Sequence, residues 1–175
     1  MLVENKPSVT SRITGLFSGR GYNMESICGA PTHDPNISRI TIKTKSTPDQ
    51  LVEIQGQLNR LIDVIKLRDM TQEEKSVKRE MALISVGITK ENRTELLQLT
   101  EIYNAKIVNA GADSYIVEVT GTEDKVNSLI DLLRPLGIKK VTRSGILALY
   151  KDLDESHRSG EGAPTKATKT SCQGR

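Results

Sequence analysis

Aromatic residues are scarce in this sequence: they make up 3% of its 175 residues, with no tryptophan and a single phenylalanine. Any hydrophobic core must therefore be built from leucine, isoleucine and valine. Proteins that bind single-stranded nucleic acid usually stack the bases on aromatic side chains. The composition argues against that class, and the length leaves room for one ordinary domain or two small ones.

The sequence also lacks the patterns that mark most catalytic and metal sites. Its two cysteines, Cys28 and Cys172, fit neither a disulfide framework nor a zinc site, and its two histidines, His33 and His157, form no recognisable catalytic pattern. There is no Walker phosphate loop, and the segment GRGYNM lacks the third glycine of a dinucleotide fingerprint. We therefore assign no catalytic residue and no metal ligand, while a site assembled only in three dimensions stays open.

Long apolar runs are absent as well. None approaches the roughly 20 residues that a helix needs to cross a bilayer, and no charged-then-apolar leader opens the chain. The net charge is +3, and the Lys and Arg residues are spread along the sequence rather than clustered. These features predict a soluble cytoplasmic protein with neither a membrane nor a nucleic acid as its partner.

What the sequence does contain is a repeated order of elements. Apolar periodicity predicts strand, helix, strand, strand, helix, strand over residues 1–72, and the same order returns over 73–150. Two βαββαβ units with right-handed crossovers predict an α+β protein of two ferredoxin-like domains in tandem. Each domain would have its helices on one face of an antiparallel sheet and an open face opposite. Residues 151–175, rich in Ser, Gly, Thr and charge, are predicted to be a disordered tail.

Local signals refine this plan in the first half. Ser8 is predicted to cap the first helix, and a turn that contains Gly19 and Gly21 is predicted to end it. Thr47 opens a capping box that is followed by proline, and Thr122 occupies the equivalent place in the second half.

In the second half, the charged segment TQEEKSVKRE (71–80) is interpreted as a linker between the domains. A helix is predicted from Thr89 to about Tyr103, and IKKVTRSG (138–145) is predicted to be the last strand.

An RNA-binding module is an alternative reading of a ferredoxin-like fold. The open face of the first sheet would present Arg39, Thr41 and Lys43, which could touch phosphate groups. Nothing on this strand can stack a base, which disfavours the alternative.

Long strings in the first half resemble a known family. VENKPSVTSRITGLFSGRGYNMESI and APTHDPNISRITI resemble the small regulatory subunit of acetolactate synthase, also called acetohydroxyacid synthase. The resemblance is close through about Thr44 and looser to about Leu149, where TEIYNAKIVNA, YIVEVTGTEDKV and RSGILAL are also similar to the family. It implies that the first domain is an ACT domain.

The resemblance further implies a subunit with no chemistry of its own. Such a subunit binds the large catalytic subunit, raises its activity and makes it sensitive to feedback inhibition by a branched-chain amino acid, usually valine. It also implies a homodimer formed through the ACT domains. Thiamine diphosphate, magnesium and FAD would belong to the catalytic partner, so no cofactor is expected in this chain. The alternative is an ACT-type amino-acid sensor that regulates a different biosynthetic enzyme or a transcription factor.

In this family the effector binds between two ACT domains. On this sequence the resemblance places Asn5, Ser8 and Val9 of one protomer opposite Asn23 and Met24 of the other. The chemistry of these residues agrees, because a helix start offers N–H groups to a carboxylate and asparagine oxygens accept from an ammonium group. Val9 and Met24 would line an apolar pocket. For the two asparagines, the alternative is turn residues that bond their own backbone.

The sequence departs from the family in two places. Ser8 stands where the family usually has glycine, and a Cβ there could crowd a ligand that approaches the backbone. The first strand is also expected to be shorter than in the family, since only Met1 and Leu2 precede the matching string.

Overall fold

The computed structural model describes residues 1–71 and 75–151. They form two units, each with an antiparallel sheet and two helices, so the predicted α+β architecture of two βαββαβ units is confirmed. The predicted domain boundary at 72/73 falls between the two described ranges. The predicted tail lies outside the described residues, except for Lys151.

The first unit has a four-stranded sheet in the order β2-β3-β1-β4. Its elements are β1 (Leu2–Glu4), α1 (Val9–Gly19), β2 (Met24–Pro31), β3 (Ile37–Thr44), α2 (Pro48–Leu58) and β4 (Val64–Lys66). In β3, Ile40 is buried in the core with the helices, whereas its neighbours Arg39 and Thr41 lie on the opposite face. This alternation is expected because successive side chains of a β-strand point to opposite faces of the sheet.

The two helices are shaped by local sequence signals. Val9, Ile13 and Phe17 of α1 are spaced by four residues, so they form one buried stripe. The predicted capping box of α2 is confirmed, because the Thr47 hydroxyl accepts from the Gln50 N–H and the Gln50 side chain accepts from the Thr47 N–H.

The second unit has a sheet in the order β6-β7-β5-β8, and β9 pairs with β5, its single partner among the described strands. Its elements are β5 (Ser76–Gly87), α3 (Arg93–Ile102), β6 (Lys106–Ala110), β7 (Ser114–Gly121), α4 (Glu123–Leu133), β8 (Ile138–Arg143) and β9 (Leu147–Tyr150). Fully buried residues from β5, β7 and both helices form its core, among them Ile84, Leu96, Val117 and Leu129. The predicted cap of α4 is confirmed, since the Thr122 side chain accepts from the Lys125 N–H.

The helix predicted from Thr89 begins at Arg93 instead. Asn92 holds the preceding turn in place, because its side chain accepts from the Thr89 N–H and donates to the carbonyl oxygens of Gly87 and Leu136. The helical pattern was therefore right, but its first four residues form a turn that closes on the end of β5.

The predicted linker is wrong from Ser76 onward, where β5 begins. Residues 76–79 pair with β9, and Glu80 and later residues pair with β7. The predicted last strand is also wrong in extent. β8 ends at Arg143, and the chain bulges at Gly145 (φ 76) before β9 continues along the same edge of β5. We call β9 and residues 76–79 of β5 the ribbon.

The open face predicted for the first sheet is partly covered by the second unit. A Cβ on Gly145 would lie 3.3 Å from the Cβ of Ser26 in β2, so a glycine allows the bulge to sit against the sheet. Lys43 of β3 contacts the start of α4, with its Nζ 2.7 Å from Glu123 Oε1 and 3.0 Å from Glu25 Oε2. Hydrogen bonds to Glu123 and Glu25 raise the pKa of Lys43.

A buried ion pair lies where β5 changes partners. Glu80 is 4% exposed, and its two carboxylate oxygens accept from Arg143 Nε at 2.8 Å and Nη2 at 2.6 Å. Arg143 Nη1 also donates to Asn127 of α4 at 2.9 Å. The pair therefore joins β5, β8 and α4 with the two-pronged geometry that makes such bonds strong, and the bond to Glu80 raises the pKa of Arg143.

We expect Arg143→Ala to lower the free energy of unfolding by about 2–3 kcal/mol, because it leaves the Glu80 carboxylate buried without a counter-ion. Urea unfolding followed by circular dichroism measures this change. Arg134→Ala is the control, since Arg134 and Asp131 form an exposed pair at 3.2 Å, and its effect should stay below about 0.5 kcal/mol. Similar losses in the two variants would contradict a structural role for the buried pair.

Candidate functional site

The residues predicted to bind an effector form two groups at opposite ends of α1. Asn5, Ser8 and Val9 lie at its amino end, and Asn23 and Met24 lie just beyond its carboxyl end.

Asn5 ties the turn before α1 to the loop between β2 and β3. Its Nδ2 donates to the carbonyl oxygen of Pro35 at 2.8 Å, and its backbone N–H donates to that of Asn36 at 2.7 Å. These partners lie about 30 residues away in sequence, so Asn5 is more than a local turn residue. The side chain is exposed, which leaves its oxygen accessible.

Ser8 occupies the predicted N-cap position but does not cap the helix with its side chain. Its φ of 70° and ψ of −3° place it in the left-handed region, and its hydroxyl makes no capping bond. A side-chain cap requires an extended backbone at this position, which Thr47 has and Ser8 lacks. The left-handed region favours glycine, which gives a physical reason for the glycine that the resemblance leads one to expect here.

The first turn of α1 is suited to an anion. The first helical bond within it is donated by the Arg12 N–H to the Ser8 carbonyl, so the N–H groups that precede Arg12 have no carbonyl inside the helix. None of the residues of this turn is acidic, and the Asp63 carboxylate near it is paired with the Arg12 side chain, so the partial positive charge of the helix terminus favours an anion.

The Val9 side chain is 3% exposed and belongs to the core of the first unit. Val9 therefore has little side-chain surface for a ligand and offers its backbone N–H instead. Met24 is half-buried against the same core.

The turn that precedes Asn23 is held by bonds to α2 and to β3. Gly21 has a φ of 71°, whereas Gly19 is the last residue of α1 and has no positive φ, so only Gly21 needs to be glycine for its backbone conformation. Tyr22 packs edge-on against Phe17, with ring centroids 6.3 Å apart. The Asn23 carbonyl accepts from the Thr44 hydroxyl at 2.6 Å, while its side chain is exposed.

Glu53 of α2 is a residue that sequence analysis missed. Arg20 Nη1 lies 2.6 Å from Glu53 Oε1, and a hydrogen bond with Glu53 raises the pKa of Tyr22. Glu53 thus anchors both residues that flank Gly21. Arg20 and Glu53 are 33 residues apart, and no local pattern in the sequence connects them.

The two groups cannot meet within one chain. Asn5 is bonded to Asn36, just before β3, and Asn23 is bonded to Thr44, at the end of β3. A strand rises about 3.3 Å per residue, so the groups are about 25 Å apart. An amino acid bound to both groups would need two chains.

Within residues 1–71 and 75–151, no three His, Cys, Asp or Glu side chains converge as metal ligands would. None of the helices in these ranges is both long enough and apolar enough to span a bilayer.

Comparison with known proteins gives matches over both units. Residues 1–66 match the model "AHAS small subunit-like ACT domain", and residues 79–152 match the model "Small subunit of acetolactate synthase". The chain is 44% identical to a probable acetolactate synthase small subunit of Archaeoglobus fulgidus, over 86% of this chain and 94% of that protein. It is 39% identical to the acetolactate synthase small subunit of Aquifex aeolicus, over 91% of this chain and 83% of that protein.

A solved structure agrees with these matches. The crystal structure of the acetolactate synthase small subunit from Thermotoga maritima superposes with a TM-score of 0.79 at 36% identity, covering 86% of this chain and 94% of that chain. The likeness therefore extends over both units.

We expect Ser8→Gly to raise the free energy of unfolding by about 0.5–1 kcal/mol. Glycine removes the strain of the left-handed backbone, which adds about 1–2 kcal/mol to the free energy of unfolding. Its greater conformational freedom in the unfolded chain offsets part of this gain. Ser18→Gly, at an exposed position within α1, is the control and should lower stability by about 0.5 kcal/mol. Thermal and urea unfolding of both variants checks the opposite signs, and equal signs would contradict the role given to the Ser8 backbone.

Proposed function

The chain belongs to the family of acetolactate synthase small subunits, and we propose that it is the regulatory subunit that activates the large catalytic subunit and confers feedback inhibition by valine. The observation that carries this proposal is the match to family models in both units, at residues 1–66 and 79–152. A shared ACT domain alone would leave the regulated enzyme open. The match of the second unit supports acetolactate synthase as the enzyme that is regulated.

The chemistry of the reaction is assigned to the partner. Thiamine diphosphate, magnesium and FAD would be bound by the large subunit, and this chain would act by changing the partner's conformation. We expect the two subunits to work together in the cytoplasm.

A homodimer through the first units is part of the proposal. β2 is an edge strand of eight residues, whereas the opposite edge strand, β4, has three. Two β2 strands that pair antiparallel across a two-fold axis would place the carboxyl end of one beside the amino end of the other. The carboxyl end, Pro31, pairs with Ser38 of β3, close to the Asn36 carbonyl that binds Asn5.

This pairing would bring Asn5 of one chain toward Asn23 of the other and form two equivalent effector sites. The valine carboxylate would bind the N–H groups in the first turn of α1. The ammonium group would be held by the side-chain oxygens of Asn5 and Asn23. The isopropyl group would contact Met24, which is half-buried at the edge of the core.

The first test is reconstitution with the purified large catalytic subunit of the same organism. We expect the chain to raise acetolactate formation several-fold and to make it sensitive to valine, because allosteric coupling is typically worth about 1–3 kcal/mol, or about 5- to 150-fold. Steady-state rates with increasing amounts of the chain, with and without valine, measure both effects. An unchanged rate at saturating chain would reject the activating role.

The second test asks whether the effector site is shared between chains. Dimers of Asn5→Ala and dimers of Asn23→Ala should each lose most of their valine binding, because each lacks one side of both sites. In mixed dimers one site would carry both substitutions and the other would be intact. Mixing the two variants should therefore restore valine binding in calorimetry, to one site per mixed dimer.

Two controls accompany this experiment. Light scattering verifies that each variant remains dimeric. A double variant that carries Asn5→Ala and Asn23→Ala in the same chain should not bind valine, because its dimers contain no intact site. Absence of recovery in mixed dimers of proven composition would show that the site lies within one chain or elsewhere.

A further inference from the structure

A groove separates the open face of the first sheet from the ribbon. Its volume is about 380 Å³. We call it the ribbon groove and define it by Cys28, Ala30 and Thr41 on the sheet side and by Val77, Leu147 and Leu149 on the ribbon side. It therefore lies between the two units, on the face of β2 and β3 that is remote from the helices.

The ribbon side of the groove is apolar and only partly covered. Val77 pairs with Leu149, and Leu147 follows two residues earlier on the same face of β9. Their exposed fractions are 41% for Val77, 53% for Leu147 and 58% for Leu149. Neighbouring exposed apolar side chains of this kind mark interaction surfaces more often than scattered single ones do.

Two basic side chains line the ribbon groove. They are Arg39 of β3, on the sheet side, and Arg79 of β5, on the ribbon side. Within residues 1–71 and 75–151, neither of them forms an ion pair with a carboxylate. The groove therefore combines an apolar ribbon side with two positive charges.

The charge decides between possible occupants. A second copy of this chain placed on the groove by a two-fold axis would bring Arg39 and Arg79 of one chain against the same arginines of the other, which is unfavourable. Nucleic acid would satisfy the charge but would leave the apolar side chains unused, and the described residues that line the groove include no aromatic ring on which a base could stack. An acidic protein segment with apolar side chains matches both features.

We propose that the ribbon groove binds an extended segment of the large catalytic subunit that carries apolar side chains together with carboxylates. This inference rests on the proposed function and names the surface through which the partner is held. β9 pairs only with β5 among the described strands, so its outer edge offers backbone groups to such a segment, as in strand addition.

The experiment measures the dissociation constant (Kd) of the full-length chain for the purified large catalytic subunit by surface plasmon resonance. Leu149→Ser removes apolar surface from the ribbon, and Arg79→Glu reverses a charge at its rim. Each should raise Kd by about tenfold or more if the groove is a centre of the interface. Because Arg79→Glu removes an attraction, it should also make Kd less dependent on salt.

Matched controls lie outside the groove. Ile102→Ser removes an apolar side chain that is 72% exposed on α3, and Arg60→Glu reverses an exposed charge just after α2. Both should leave Kd within about twofold, the usual range for substitutions outside an interface. Melting temperatures test the folding of each variant, and Leu147→Ala replaces Leu149→Ser if the latter unfolds.

The outcomes separate the inference from the proposed function. If the unmodified chain binds the large subunit and the ribbon variants bind equally well, the groove is not the docking surface, while the proposed function stands. If the unmodified chain does not bind, the proposed function fails, and this inference fails with it. Ribbon variants that instead dissociate the homodimer, or weaken binding to RNA alone, would overturn the inference by identifying another occupant.

Discussion

The ion pair between Glu80 and Arg143 fixes the point at which β5 passes from one set of neighbours to another. Before Glu80 the strand pairs with β9, and from Glu80 onward it pairs with β7. A carboxylate that is 4% exposed is tolerated only with a close counter-ion, so Arg143 must end β8 at this level. The register Ala82↔Arg143 then determines where the Gly145 bulge lies and how far the ribbon reaches over the first sheet. The pair therefore stabilises the register from which the ribbon extends, while Lys43 and the Gly145 bulge make the contacts with the other unit.

A second constraint acts within the first unit. β3 and α1 run side by side, and each separates the Asn5 end from the Asn23 end. The turn at each end is attached to a different neighbour: Asn5 to the Pro35 loop, and Arg20 and Tyr22 to Glu53 of α2. These attachments hold the two ends apart. A ligand that requires both ends would therefore bind only when two chains are arranged so that one end of each comes together. A site of this kind converts a change in assembly into a change in affinity, and by reciprocity the ligand favours one assembly.

The sequence predicts the parts of this fold that local physics determines. Thr47 and Thr122 cap helices because each has the required side chain three residues before a free N–H, and Ile40 is buried because a strand alternates its faces. Pairs far apart in sequence escape such reasoning. The sequence predicts a charged linker at Lys78, Arg79 and Glu80. Local reasoning could not show otherwise, because Arg143, the partner of Glu80, is 63 residues away. The candidate site follows the same rule: the residues came from a family resemblance, whereas the left-handed backbone of Ser8 and the anchoring role of Glu53 required coordinates.

β2 unites the surfaces that carry the two proposals. Its outer edge is the strand edge available for pairing with a second copy, and its face, at Cys28 and Ala30, lines the ribbon groove. If a second chain pairs along that edge, each groove lies next to the two-fold axis, and the strand that positions Asn23 is also the floor on which the partner's segment would rest. A shift of β2 caused by effector binding would then alter the groove directly, through one rigid element. The effector and the catalytic subunit would then be coupled through a single strand that contacts both of them.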